Sequence, residues 1–391
     1  MELNERVCEI TPSLTLAIDA KAKALAAAGE KVCGFGAGEP DFDTPSHIKE
    51  AAAKALRDGK TKYAPNDGIP ELRAAIVDKL AGENKLVYKP EQILVSNGAK
   101  HSLFNIFMAL CRDGDEVIIP APYWLSYPEM VRVAGGKPVY VHGSVAGGLK
   151  VTPAEVEAVI TPRSKAIIIN SPSNPTGMVY TRDELAALAA VAVRHNLIIV
   201  SDEIYERMVY DGVEAVSIGS LGAEVFSRTV TVNGFSKPYA MTGWRLGYCA
   251  GPLTIIKAAS ALQSHSTSAP NTFAQYGAVA ALRESQDCVT QMVRAFDERR
   301  QMLLKRLTAM KGIACARPAG AFYVFPDISA FGLPSIEFAG KLLEQEKMTV
   351  VPGAPFGADG NVRLSYACSM ANIEEGMVRL ERFLQTLRKR A

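Results

Sequence analysis

The stretch Ser236-Lys-Pro-Tyr-Ala-Met-Thr-Gly-Trp-Arg-Leu-Gly-Tyr248 holds one lysine, Lys237, and one arginine, Arg245, between two runs that read as strands. Upstream, Thr229 to Val232 alternates threonine and valine, and Asn233-Gly234 ends the run with turn chemistry. Downstream, Leu246 to Ala250 reads as a second short strand. Lys237 is therefore expected in a loop at a strand end, among apolar neighbours. A lysine desolvated in this way sheds its proton and becomes an amine nucleophile toward carbonyls, which a hydrated surface lysine does poorly. Arg245, further along the same loop, can return to the cavity and hold an anion.

Outward from this stretch, strand and helix signals alternate. Ile93 to Val95 reads as a strand, and Asn97-Gly98-Ala99-Lys100 turns into a helix with Leu103, Phe107 and Leu110 on one face. A strand, a glycine turn and a helix start make an anion site, because unpaired N–H groups and the helix dipole point at the turn. Strand 116–119 leads to Pro120-Ala-Pro-Tyr-Trp124; strand 137–141 and helix 154–160 precede the apolar run Lys165 to Asn170, which ends in Ser-Pro-Ser-Asn174-Pro-Thr-Gly. Thr181-Arg-Asp-Glu184 is a capping box, and strand 197–201 delivers Asp202-Glu-Ile-Tyr205. Repeated strand–helix–strand units with apolar strands predict an α/β fold, a mostly parallel central sheet flanked by helices, with ligands at the carboxyl ends of its strands. Nearer the N-terminus, Ser13 is expected to cap a helix to about residue 27 and Thr44 one to about residue 58. Beyond Ala250 come helices at 253–264, 272–283, 287–310, 335–346 and 372–388, with weak strands at 322–325 and 362–365. These predict a smaller α+β domain. We divide the chain into 1–45, belonging to the small domain, 46–290, the large domain, and 291–391, the rest of the small domain, with the boundary inside a continuous helix.

The composition narrows the function. Among 391 residues, 48% are hydrophobic and 21% charged, and a net charge of +2 with mixed signs leaves no basic footprint for nucleic acid or an anionic membrane. Seven scattered cysteines without C-x-x-C spacing predict reduced thiols and no metal cluster. A charged N-terminus and the lack of any apolar run of membrane length predict a cytoplasmic protein. Two nucleotide motifs fail: Gly34-x-Gly36 meets Glu39 where a glycine is required, and Gly59-Lys60-Thr61 is preceded by Lys54 where a P-loop begins with glycine.

Ser236-Lys-x-x-x-Met-x-Gly-Trp-Arg-x-Gly-Tyr248, Ser171-Pro-Ser-Asn-Pro-Thr-Gly177 and Gly38-Glu-Pro-Asp-Phe42 together resemble the motifs of the class I aminotransferases, in family order and over nearly the whole chain. The resemblance implies the PLP-dependent transferase type I fold, with pyridoxal 5'-phosphate (PLP) bound to Lys237. It implies that Ala99 and Lys100 (through their backbone), Ser236 and Arg245 hold the phosphate, that Trp124 stacks on the cofactor ring, and that Asn174 and Tyr205 bond its ring oxygen. Asp202 would pair with the ring nitrogen; at an effective dielectric near 20 such a pair is worth up to ~4 kcal/mol, about three pKa units. Gly38 and Arg363 would meet the substrate α-carboxylate, the arginine through a bidentate fork. Tyr63 would reach into the partner subunit's site and so make the protein a homodimer; a locally packed loop tyrosine is the alternative. The chain departs from the animal-type pattern at Gly234, where those enzymes carry a hydroxyl residue.

Amino acid and 2-oxo acid would then exchange an amino group in two half-reactions, with Lys237 moving the proton. Lys100 resembles the lysine that reads the distal carboxylate in the bacterial subgroup Ib, although a solvated lysine at a helix start fits equally. Thr15 with Lys100 resembles the pair of the aspartate/prephenate enzymes. The expected activity is aspartate:2-oxoglutarate transamination, with an aromatic or prephenate aminotransferase as the alternative. A PLP lyase on the same fold is the rival enzyme. A ligand-sensing regulator is disfavoured, since motifs beginning near residue 11 leave no room for a DNA-binding module.

Overall fold

The alternating run of strands and helices becomes one large sheet and a smaller β layer. The computed structural model describes residues 3, 5–12, 14–143 and 148–388, without the side chains of 14–16 and 19. In chain order the strands are β1 (Cys33–Gly34), β2 (Ile93–Ser96), β3 (Glu116–Ala121), β4 (Lys137–His142), β5 (Ser164–Asn170), β6 (Ile198–Asp202), β7 (Thr229–Gly234), β8 (Gly247–Ala250), β9 (Tyr323–Val324), β10 (Met348–Thr349), β11 (Val351–Pro352) and β12 (Val362–Ser365). Seven form the main sheet in the order β2-β8-β7-β6-β5-β3-β4. Only β8 runs antiparallel to its neighbours, so the sheet is mostly parallel.

Side chains alternate faces along a strand, and here both faces are covered. Ile119, Ile168 and Val200 join Leu103, Ile106 and Phe107 of helix Ala99–Leu110 on one side. Ile118, Ile167, Ile169 and Ile199 join Leu185, Leu188 and Ala192 of helix Arg182–Arg194 on the other. That explains why Ala166 to Ile169 is apolar at every position. Register aligns Asn170 with Asp202 and Asp202 with Val232, so three adjacent strands end side by side.

The small β layer closes the chain on itself. β1 pairs in parallel with β10, Cys33 opposite Met348, and β9 and β11 flank β12 in antiparallel pairing. Phe35 thereby enters a core with Phe296, Phe322, Phe338 and Phe383. Helix Asp287–Thr308 is continuous; Val289 packs in one core with Ile48 and Ile76, whereas Met292, Phe296 and Leu303 pack in the other.

Several local expectations need correction. Thr181 and Glu184 form their capping box, but Thr44 caps nothing: its hydroxyl donates to the Ala240 carbonyl at 2.7 Å and accepts from Trp244 Nε1 at 3.0 Å. Helix Ser126–Val133 was not signalled, since it is short and carries Pro128 in its first turn. Ser13 lies outside the described residues. All seven cysteines are free, no metal-ligand cluster occurs among the described residues, and none of their helices is long and apolar enough to cross a membrane.

Candidate active site

A cavity of about 370 Å³ opens where β5, β6 and β7 end, and Gly38, Ala99, Lys100, Trp124, Asn174, Asp202, Tyr205, Ser236, Lys237, Arg245 and Arg363 all line it. Asn170 and Asp202 are the last residues of β5 and β6, and Lys237 follows β7 by three residues. Lys237 Nζ donates to the Gly38 carbonyl and lies 5.9 to 6.0 Å from the ring centres of Phe322 and Tyr205. Burial pulls its pKa down to about 8; the Glu39 carboxylate works against that shift, and the Arg363 and Arg245 cations reinforce it. The amine is thus poised near neutrality.

Asp202 is 4% exposed and accepts from Tyr127 Oη at 2.7 Å and from the Ile204 N–H at 3.3 Å. Burial nonetheless holds its carboxyl above the ordinary range, and the Tyr127 and Ile204 hydrogen bonds and the Lys237 cation offset it only in part. A cationic ligand group would complete this end of the cavity. Tyr205 is buried beside it, its hydroxyl 2.8 Å from that of Tyr323.

The opposite end suits an anion. Gly98 takes φ +84° before helix Ala99–Leu110, whose first N–H groups have no carbonyl one turn back. Two close approaches need glycine. A β-carbon on Gly98 would stand 2.5 Å from Arg245 Nη2, and one on Gly247 would overlap the Ala99 backbone nitrogen. Arg245 sits in the left-handed region at φ +53° and donates to the Thr242 carbonyl at 2.8 Å, and no carboxylate pairs with it among the described residues. Ser236 is buried next to this cluster.

Arg363 faces the cavity from β12. It is 3% exposed, with Nη1 donating to Asn174 Oδ1 at 2.9 Å and Nη2 to the Gly36 carbonyl at 2.8 Å, while Nε has no partner among the described residues. Burial lowers its pKa, and the Tyr323 ring lies under the guanidinium at 4.5 Å. A buried guanidinium with no carboxylate is one that still lacks its anion. Asn174 is fixed in turn by its N–H on Asn170 Oδ1 at 2.9 Å. Lys100 Nζ lies 4.9 Å over the Trp124 ring, and Trp124 packs edge-on against Tyr127.

Two predicted residues are not brought together here. Tyr63 is 99% exposed and away from the cavity, and the side chain of Thr15, on helix Leu14–Ala27, lies outside the described residues. Conversely, Tyr127, Asn170, Glu39, Thr242 and Tyr323 line the cavity without having been singled out. Asn170 ended a quoted strand and was the most readable of them. Tyr323 sat in a weak strand whose long-range pairing carried no local signal.

A buried lysine with a lowered pKa, set between a buried carboxylate and a buried guanidinium that form no ion pair among the described residues, at the carboxyl ends of a parallel sheet, defines an α/β enzyme for amine–carbonyl chemistry. The chain belongs to the family of class I and II aminotransferases, whose model matches residues 30–380. It is 51% identical over 390 residues to the aspartate aminotransferase of Geobacillus stearothermophilus, covering 98% of this chain and 99% of that one. It is 47% identical to the aspartate/prephenate aminotransferase of Cereibacter sphaeroides, with 97% and 98% covered. The solved aspartate aminotransferase from Thermus thermophilus with maleate superposes with a TM-score of 0.95 at 47% identity, covering 98% of this chain and 100% of that one.

Proposed function

We propose that this aminotransferase uses PLP to move the amino group of L-aspartate to 2-oxoglutarate, working as a cytoplasmic homodimer with a large domain of residues 46–290 and a small domain of 1–45 and 291–391. The observation that carries the reading is Lys237, with its lowered pKa, set between Asp202 and Arg363, each missing a counter-charge. The cavity meets three separate demands of PLP: a buried carboxylate for a protonated ring nitrogen, an amine for an aldehyde, and a helix N-terminus with Arg245 for a phosphate. When bound, PLP would supply that aldehyde and an aromatic ring able to accept the electrons released at the substrate's α-carbon.

The protein's own groups do the rest. Arg363, braced by Asn174 and Gly36, offers its guanidinium to the α-carboxylate and so orients the substrate. Lys237 Nζ takes the proton from the α-carbon, a task for which a pKa about 8 is well matched. Asp202 would keep negative charge beside the cofactor's ring nitrogen, and Asn174 and Tyr205, which line the same cavity, would bond its ring oxygen. Lys100, on the cavity rim, reads the distal carboxylate with Thr15, a reading supported by the names of the relatives and by maleate, a dicarboxylate, in the Thermus protein. Tyr63 completes the partner subunit's site.

Purified protein supplied with PLP is expected to acquire a visible absorption band, lose it on addition of L-aspartate with release of oxaloacetate, and regain it with 2-oxoglutarate. Retention of the band with every amino acid tried would reject transamination, and loss without recovery would favour a lyase. Relatives named aspartate/prephenate aminotransferases support a second reading, in which prephenate is the amino acceptor; regeneration of the band by prephenate at a rate like that of 2-oxoglutarate decides for it.

A further inference from the structure

Tyr205 and Tyr323 come from opposite sides of the cavity, one from the turn after β6 and the other from β9, whose partner β12 carries Arg363. Both rings are buried and their hydroxyl oxygens are 2.8 Å apart, so one phenol donates and the other accepts. The surroundings assign the direction. The Arg363 guanidinium lies on the Tyr323 ring face at 4.5 Å and favours its ionisation. Arg363 also acts on Tyr205, but there the neighbouring Asp202 carboxylate opposes it and disfavours ionisation. Tyr323 is therefore the better donor and Tyr205 the better acceptor. Gly38 permits the approach: a β-carbon there would stand 3.2 Å from the Tyr323 oxygen. The Tyr205 hydroxyl has no other hydrogen-bond partner among the described residues.

We propose that Tyr323 is a positioning residue for the reaction: its hydroxyl donates to the Tyr205 oxygen and so turns the Tyr205 O–H into the cavity, toward the cofactor's ring oxygen. This rests on the PLP reading above. An accepted hydrogen bond strengthens the one a hydroxyl donates. Stronger donation to the ring oxygen stabilises its negative charge once the lysine-linked nitrogen has lost its proton, and so lowers the pH at which that proton leaves. Besides Tyr323, the titratable groups acting on Tyr205 are Lys237, Asp202, Arg363 and Tyr127.

The test is the pH midpoint of the visible band of PLP-loaded wild type, Y323F, Y205F and the double variant Y205F/Y323F. Losing part of one charged hydrogen bond should raise the Y323F midpoint by roughly 0.2–0.6 pH unit. Y205F should raise it further, and Y323F should add nothing in the Y205F background. An unchanged or lowered midpoint in Y323F, or an equal shift in both backgrounds, overturns the proposal. Y323H, which keeps a ring N–H donor, provides the same reading if Y323F does not fold: a midpoint near wild type supports donation, and one as high as in Y205F rejects it. A wild type with no visible band would instead sink the PLP reading, and this proposal with it.

Discussion

Lys237 shows how much one position depends on its surroundings. Surrounded by apolar rings and two arginines, it sits near a pKa of about 8, against an ordinary 10.5. The folded, cofactor-free protein therefore binds fewer protons at this site than the unfolded chain between pH about 8 and 10.5. Its stability is expected to rise with pH across that window, and a K237M variant should lose that part of the slope in chemical denaturation. K237A in the PLP-supplied enzyme should lower kcat by at least roughly 100-fold, the minimum expected for removing a proton-transfer group. Arg363 tests the other charge: R363K keeps the cation but not the fork, and should cost roughly 2–4 kcal/mol in kcat/KM for aspartate. K100A should raise the KM for aspartate while sparing monocarboxylic amino acids; unchanged aspartate kinetics would remove Lys100 from the distal-carboxylate role.

At the scale of elements, the turn Asp202-Glu-Ile-Tyr205 is held from behind by a buried polar cluster. Glu203 accepts from Ser201 at 2.8 Å and from Ser217, and Asn84 bridges it to Glu206, which pairs with Lys79. Burial and the neighbouring Glu206 push the Glu203 carboxyl up to about 7, from 4.5. The folded protein binds the extra proton there, so this contribution to stability is full below pH 4.5 and is lost as pH rises through about 7. E203Q should flatten the dependence of thermal midpoint on pH in that range; an unaltered slope would contradict the assignment. The sheet strands were legible because burial on both faces makes them apolar throughout, and the glycine turn before Ala99 was legible because helix starts have few chemistries. Tyr127 and Tyr323 were not: their roles arise from a short proline-containing helix and from a β9–β12 pairing between residues about forty positions apart, neither of which leaves a periodic pattern.

For the whole molecule, two cores share the continuous helix Asp287–Thr308, and the N-terminal strand β1 completes the layer that carries Arg363 to the site. If Arg363 binds the substrate as proposed, that binding links the small β layer to the cavity at the end of the main sheet. The motif resemblance named Tyr63, and in the single chain its side chain stands in solvent. If the dimer shares its sites, mixing inactive K237A with Y63A subunits should restore roughly a quarter of wild-type sites, one native site in each heterodimer. No recovery would confine Tyr63 to its own chain. The bond at position 237 remains the central claim, and borohydride trapping followed by peptide mapping tests it most directly. A pyridoxyl adduct on Lys237 is the predicted result; protein that takes up PLP yet yields no adduct there, or carries it on another lysine, would contradict the account.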